Sequence, residues 1–414
     1  MGEIIIKNIS IGDELLIGQV INTNAAWLGA QLSEAGFQLD STLTIGDSEK
    51  AIMDALESCM DADLVLVTGG LGPTADDITK PTVCKFFCTE LEFCQTAYDN
   101  VVSIFKRRGF QMSERNRGQA YLPKSCQYIP NTYGTAPCMW LEKEGVVYAF
   151  MPGVPFEMKG IFNDELLPRI EERFHAVPYA KRVIMTTGIG ESFLADMIKE
   201  WEDALPDFLS LAYLPQYGMV RLRLSGRHEN AAFLHSTLDN EVEKLTKLIS
   251  NYIFAMDDLP IQRVVFDLLI GKGKTFASAE SCTGGNIAHV ITLIPGSSEV
   301  FKGAAITYAT PMKTKVLDVP AEMIDEYGVV SQQVVENMAI GVRNLMEADF
   351  GVATTGIAGP SGGTEETPVG TVWIGVASAK GVVSKCFNFG KDRENVINRA
   401  TIMAYEMLRQ QIND

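Results

Sequence analysis

The sequence predicts an α/β protein in which two doubly wound α/β domains are joined by a small α+β domain. Three observations predict it. Short apolar runs alternate with helix-period stretches in the first and last thirds of the chain. Those runs end in glycine-rich turns, and the texture changes between residues 170 and 255. The 414 residues suffice for two or three domains at roughly 150 residues each. The expected boundaries are 1–168, 169–256 and 257–414.

The N-terminal elements follow in order. Ile4–Ile11 reads as a short apolar strand, and Thr23 or Asn24 caps a helix with Leu28, Leu32 and Ala35 on one face, closed by Gly36. Leu39–Ile45 is a second strand, and Ser48 opens a helix that aligns Ile52, Leu56 and Cys59. The run Leu64–Val67, ending in Thr68-Gly69-Gly70, has no polar alternation, as expected of a parallel strand buried on both faces. Val146–Phe150 is a later strand, running into the non-helical turn Met151-Pro152-Gly153-Val154-Pro155.

The middle segment reads as a strand at Val183–Thr187, a helix through Trp201, a strand pair at Leu209–Leu214 and Met219–Leu224, and a long helix at Asn230–Ile249. It offers little catalytic equipment. In the last third, Thr275–Ala279, Ala304–Tyr308, Gly351–Thr354 and Val372–Ala377 read as strands. Ser331 caps a helix striped with Val335, Met338, Ala339 and Val342, and Glu394–Gln411 closes the chain.

Composition excludes several function classes. Charged residues make up 21% and apolar ones 46%, the profile of a globular protein with real cores. Thirty-five basic against 52 acidic side chains leave a net charge of −17, which disfavours direct nucleic-acid contact and an anionic membrane surface. No run approaches the roughly 20 apolar residues of a membrane span, and the N-terminus lacks a signal-peptide pattern, so a cytoplasmic location is expected. Cys84, Cys88 and Cys94 fall in one helical stretch, and no C-x-x-C or Cys/His cluster suggests zinc.

Two places could carry chemistry. Gly69, Gly70 and Gly72 follow a buried strand and would let backbone N–H groups approach a phosphate. Asp76 and Asp77 just beyond are hard ligands for a divalent cation, and Asp47 and Gly12-Asp13-Glu14 could join them at the same sheet edge. In the last third, Ser281 sits where a strand turns into a helix opened by Thr283-Gly284-Gly285, whose backbone donors suit a phosphate or an oxyanion. His289 lies too far down that helix to serve as its base. A lysine, Lys313 or Lys315, is the alternative activator. The loop Thr354–Gly363 could wrap a substrate, with Thr355 adding a contact, and Arg393 or Arg399 could meet a phosphate or carboxylate.

These segments together resemble the competence/damage-inducible CinA family. The motifs are Gly12–Gln19 with Asn22-Thr23-Asn24, Thr68–Thr79, Met151–Met158, Gly188–Ser192, Ala279–Gly285 and Gly356–Pro360, six in order over nearly all 414 residues. The resemblance implies a molybdopterin-binding-like N-terminal domain, associated with metal-dependent ADP-ribose pyrophosphatase activity. It also implies a C-terminal nicotinamide-nucleotide amidohydrolase, which converts nicotinamide mononucleotide (NMN) and water to nicotinic acid mononucleotide and ammonia. The family's serine nucleophile falls on Ser281, its basic lysine on Lys313, its tyrosine on Tyr308 and its substrate-contacting threonine on Thr355. Its arginine falls on Arg393 or Arg399. Thr283, Gly284, Gly285, Gly356 and Gly359 would line the amidase site, and Gly69, Gly70 and Gly72 the N-terminal one.

The family's paired acidic positions fall on Asp47 and Asp77, with Asp76 adjacent, expected to hold Mg²⁺ or Mn²⁺, with K⁺ as an alternative. No cofactor is expected at the amidase site. Thr367 stands where the family usually carries a lysine. The expected partners are small nucleotides, with association as a homodimer and a role in pyridine nucleotide recycling. The rival reading is a non-catalytic pterin- or nucleotide-binding adaptor linked to competence or the DNA-damage response.

Overall fold

The computed structural model describes residues 4–74 and 77–414. The chain divides into two compact units, Met1–Ala180 with Arg227–Leu234, and Lys181–Gly226 with His235–Asp414. In the first unit the strands are β1 (Ile6–Ile11), β2 (Leu39–Ile45), β3 (Leu64–Thr68), β4 (Leu91–Phe93), β5 (Tyr121–Pro123), β6 (Gln127–Ile129), β7 (Cys138–Lys143) and β8 (Val146–Met151). Six of them form a sheet in the order β2-β1-β3-β8-β7-β6. β2, β1, β3 and β8 pair in parallel, and β7 and β6 are added antiparallel.

All five residues of β3 are buried, which explains its uninterrupted apolar run. Val65 and Val67 pack toward Ile52 and Leu56 on one face, whereas Leu64 and Leu66 pack toward Leu28, Leu32 and Ile161 on the other.

Three local readings are corrected. The helix Thr23–Glu34 is capped by Asn22, whose side chain accepts from the Ala25 N–H at 3.1 Å. Thr23 and Asn24 are its first helical residues, and the Asn24 amide donates to the Gly153 carbonyl. Pro155 opens the helix Pro155–Ile161 rather than lying in the preceding turn, because the first helical position needs no N–H. Cys84 lies in the helix Thr79–Phe86, Cys88 follows it in a left-handed conformation, and Cys94 precedes the helix Gln95–Arg108, so the three cysteines do not share one helix.

The second unit carries two further sheets. One orders its strands β10-β11-β9-β12, with β9 (Tyr179–Thr187), β10 (Leu209–Gln216), β11 (Met219–Arg227) and β12 (Ile253–Ala255). The expected strand pair is the antiparallel hairpin β10–β11. The other sheet runs β14-β13-β15-β16-β17, from β13 (Phe276–Glu280), β14 (Phe301–Ile306), β15 (Phe350–Gly356), β16 (Thr371–Ser378) and β17 (Gly381–Asn388). Its first three strands are parallel and its last two antiparallel.

Ala277, Ala279 and Ala353 face the helix Gln332–Leu345, which Ser331 caps as expected; Phe276 and Val352 face the helix Arg393–Asn413. β14 stops at Ile306, two residues before the expected end. Its partner β13 turns away at Glu280, and the Thr307 N–H makes the last bond, to the Glu280 carbonyl. Glu280, Ile306 and Thr354 are register partners, so three parallel strands deliver their carboxyl ends to one place.

Candidate functional site

At that place Ser281 leaves β13, its N–H donating to the Thr354 carbonyl at 3.1 Å. Lys313, on the helix Thr310–Leu317, brings Nζ to 3.1 Å from Ser281 Oγ and 2.8 Å from the Thr307 carbonyl. Lys313 is 1% exposed, and burial pushes its ammonium below the ordinary lysine value against a smaller opposing effect of the Cys282 thiol. A lysine held this way can be a neutral amine, donating to the carbonyl while accepting the serine proton. Burial pushes the neighbouring Cys282 thiol up to about 12, so the thiol stays protonated and it is the Ser281 hydroxyl that meets Lys313.

Tyr308, the residue after the Thr307 that accepts from Lys313, is paired with Arg393. Arg393 donates from Nη2 to the Tyr308 hydroxyl and from Nη1 to the Gly359 carbonyl, both at 2.6 Å. Arg393 is therefore the arginine that joins Tyr308 and the glycine loop. Arg399 instead lines a cavity of about 880 Å³ with Gln216, Tyr217, Asn286 and Phe389, whose wall does not include Ser281, Lys313, Tyr308 or Arg393. Tyr308 is more than half exposed, with its hydroxyl on Arg393 rather than on Lys313.

Thr355 is buried and donates to the Val329 carbonyl at 2.8 Å, so its hydroxyl proton is already used. Gly356 and Gly359 are held by packing. A Cβ would lie 2.5 Å from the Thr371 carbonyl oxygen at Gly356 and 2.6 Å from Val369 at Gly359. Thr367 bonds back to Thr364 in a tight turn of the same loop.

The turn after Ser281 differs from its sequence reading. The Gly284 N–H donates to the Ser281 carbonyl, and the Gly285 N–H to the Glu280 carboxylate. The Thr283 hydroxyl is likewise engaged, with Glu280 and Thr354 at 2.8 Å each. Glu280, to which the sequence alone assigns no role, is the centre of this turn. Its signal was available: an acidic residue directly after an apolar strand destined for burial.

The first unit has its own site, a cavity of about 360 Å³. Gly69, Gly70, Gly72, Asp47 and Asp77 all line it, as do Glu14 and Glu157. The glycines there answer to close packing. At Gly69 (φ 109°) a Cβ would lie 2.2 Å from the Ile11 carbonyl oxygen, and at Gly70 it would lie 2.0 Å from Thr79 Oγ1. Asp47 and Asp13 exchange backbone bonds, Asp13 N–H to Asp47 at 3.0 Å and Asp47 N–H to Asp13 at 3.2 Å. One oxygen of Asp77 accepts both the N–H and the hydroxyl of Thr74.

Asp76 lies outside the described residues. Among the described residues no three His, Cys, Asp or Glu side chains gather tightly enough to hold a metal ion by themselves. The donors on the cavity wall are hard carboxylate oxygens, the set that binds Mg²⁺ or Mn²⁺ when water and substrate phosphate complete the shell. Glu157, missed in the sequence, is held on this wall by the buried Asn131 amide at 2.7 Å. No described helix is long and apolar enough to cross a membrane.

Comparison with known proteins identifies the family. Residues 7–172 match the "Probable molybdopterin binding domain", 181–255 the "Damage-inducible protein CinA KH domain" and 258–412 the "CinA C-terminal domain". A CinA-like protein of Cytophaga hutchinsonii is 41% identical over 407 residues, covering 98% of this chain and 97% of its own. One from Flavobacterium psychrophilum is 42% identical over 410 residues, covering 98% and 97%. A solved structure, the competence/damage inducible protein CihA from Agrobacterium tumefaciens, is 36% identical over 37% of this chain and 94% of that one, with a TM-score of 0.36. By its full-length relatives and its three matching domains, this chain belongs to the CinA family.

Proposed function

We propose that the C-terminal domain is an NMN deamidase. The observation that carries the reading is the buried contact of 3.1 Å between Lys313 Nζ and Ser281 Oγ. Neutral Lys313 takes the hydroxyl proton as Ser281 Oγ attacks the carboxamide carbon, forming a C–O bond and an oxyanion. Collapse breaks the C–N bond, and the proton on Lys313 leaves with the nitrogen as ammonia. Water, deprotonated by the same amine, then adds to the ester and releases nicotinic acid mononucleotide and free Ser281.

The exposed Tyr308 ring offers its face to the cationic pyridinium ring of the substrate. Arg393 spends two of its five N–H donors on Tyr308 and Gly359, leaving the others for the nucleotide phosphate. The test is to incubate the full chain with NMN in EDTA and identify the products by chromatography. Ammonia and nicotinic acid mononucleotide in equal amounts are expected. No turnover, or release of nicotinamide, overturns the reading.

A second activity is favoured by the convergence of Asp47, Asp77, Glu14, Glu157 and three glycines on one cavity. We propose hydrolysis of a diphosphate such as ADP-ribose there. Asp47 and Asp77 would hold Mg²⁺ or Mn²⁺ against the phosphates. The cation, when bound, neutralises the phosphate charge and lowers the pKa of water. Glu157, fixed by Asn131, is placed on the cavity wall to accept a proton from the attacking water. Loss of Mn²⁺-dependent ADP-ribose hydrolysis in Asp77→Ala is expected, and an unchanged rate removes Asp77 from the site. The adaptor reading has no comparable observation in its favour. The sites take small nucleotides on this reading, and a cytoplasmic homodimer remains part of the proposal.

A further inference from the structure

Glu280 is a fully buried carboxylate that receives five hydrogen bonds. Oε2 accepts from the Thr283 hydroxyl at 2.8 Å and from the Gly285 and Ile287 N–H groups at 2.9 and 3.1 Å. Oε1 accepts from the Ala288 N–H at 2.9 Å and the Ser278 hydroxyl at 3.1 Å. The Thr283 hydroxyl has one proton and gives it to Glu280, so in its 2.8 Å contact with Thr354 it accepts. The Asn286 N–H donates to the Thr283 carbonyl.

The residue just before the nucleophile thus reaches forward over the turn and occupies the start of the helix Asn286–Thr292. The backbone donors of residues 284–288 are all consumed internally. Among the described residues, the Thr283 N–H has no acceptor and the Cys282 N–H meets only its own thiol; both follow Ser281 directly. A buried donor without a partner costs free energy unless something meets it during function.

We infer that Glu280 is a positioning residue of the amidase: its carboxylate locks the Ser281 turn so that the Cys282 and Thr283 N–H groups form the oxyanion hole. The inference rests on the deamidase reading of Ser281. It also denies the substrate phosphate the start of this helix, since a negative charge of the chain already fills it. Glutamine keeps the shape of Glu280 but turns an NH₂ toward donors that need an acceptor, so Glu280→Gln unlocks the turn without emptying the space. An oxyanion-hole donor is typically worth about 10²–10³-fold in kcat. Misplacing two donors therefore lowers kcat by about 10²-fold or more, while KM, set by Tyr308 and Arg393, stays within about threefold.

The experiment uses the full chain as wild type, Glu280→Gln and Thr283→Val. It measures kcat and KM for NMN, the thermal transition, and labelling of Ser281 by a serine-directed fluorophosphonate, read by peptide mass spectrometry. Thr283→Val keeps its backbone N–H but loses the hydroxyl link to Glu280, and is expected to lower kcat about tenfold. The expected result is a kcat loss with KM nearly unchanged in both variants. Wild-type kcat in a folded Glu280→Gln chain, or a rise in KM alone, overturns the inference. If Glu280→Gln does not fold, Thr283→Val decides: a wild-type kcat overturns it and a selective kcat loss upholds it. If wild type releases no ammonia, the deamidase reading fails first. The phosphonate then decides the geometry: wild-type labelling lost in Thr283→Val supports the locked turn, and labelling unchanged or absent overturns it.

Discussion

Both candidate sites lie where a parallel strand ends in a glycine-bearing turn, yet the two turns are built oppositely. After β13, Ser281, Lys313, Glu280 and Thr283 are buried, Lys313 bonded to Ser281 and Thr283 to Glu280, so the proposed nucleophile, base and supporting carboxylate are held by the protein itself. After β3, the carboxylates stand on the wall of an open cavity. The difference shows in two buried lysines. Lys313 touches a serine hydroxyl, whereas Lys80 donates to the Gly118 carbonyl at 3.1 Å and lies near Asp77. Similar topology thus supports one candidate site organised by its own residues and another whose proposed chemistry needs a bound cation and phosphate.

The largest effect should come from breaking the organised site. Lys313→Met keeps the length of the side chain and removes the base, and ammonia release should fall about 10³-fold or more. Wild type should show kcat/KM rising with pH as Lys313 loses its proton, at a pH below the ordinary lysine value of 10.5. A profile that falls with pH over that range would remove Lys313 as the base.

The open site should respond independently. Asp77→Ala should lose Mn²⁺-dependent ADP-ribose hydrolysis, with NMN deamidation unchanged. Coupled losses in both assays would break the comparison. Arg393→Ala should raise KM for NMN by about 10–100-fold, as expected for loss of a charge-assisted contact. Arg399→Ala should change it less than about twofold, since the cavity that Arg399 lines does not include Ser281, Lys313 or Arg393.

The smallest effect is on stability. Burial lowers the Lys80 pKa to about 8, against an opposing contribution from Asp77. Below pH 8 the ammonium is charged in both states, and its burial costs up to about 3 kcal/mol. Between about 8 and 10.5 the unfolded chain holds more protons than the folded one, so stability should rise with pH across that window. Lys80→Met should remove the rise and stabilise the chain at pH 7, which denaturant titration at several pH values would show.

Much of this was legible in the sequence. Uninterrupted runs such as Leu64–Val67 mark strands buried on both faces, and the turns after them mark the sheet edge where sites form. Spacing could not decide between Arg393 and Arg399. They lie on one helix, and only the fold shows that Tyr308 and Gly359 reach the first. Nor could it show that the Thr355 hydroxyl is engaged inside the protein, because its partner Val329 is distant in sequence. Glu157 escaped for the same reason, since Asn131 fixes it from 26 residues away.

The central claim is that Ser281 and Lys313 act as nucleophile and base of one amidase, and the most direct test measures ammonia release from NMN in EDTA. Wild type, Ser281→Ala and Lys313→Met are compared side by side. The account predicts turnover in wild type and none above background in either variant. Undiminished release from Ser281→Ala, or no release from folded wild type, would contradict it.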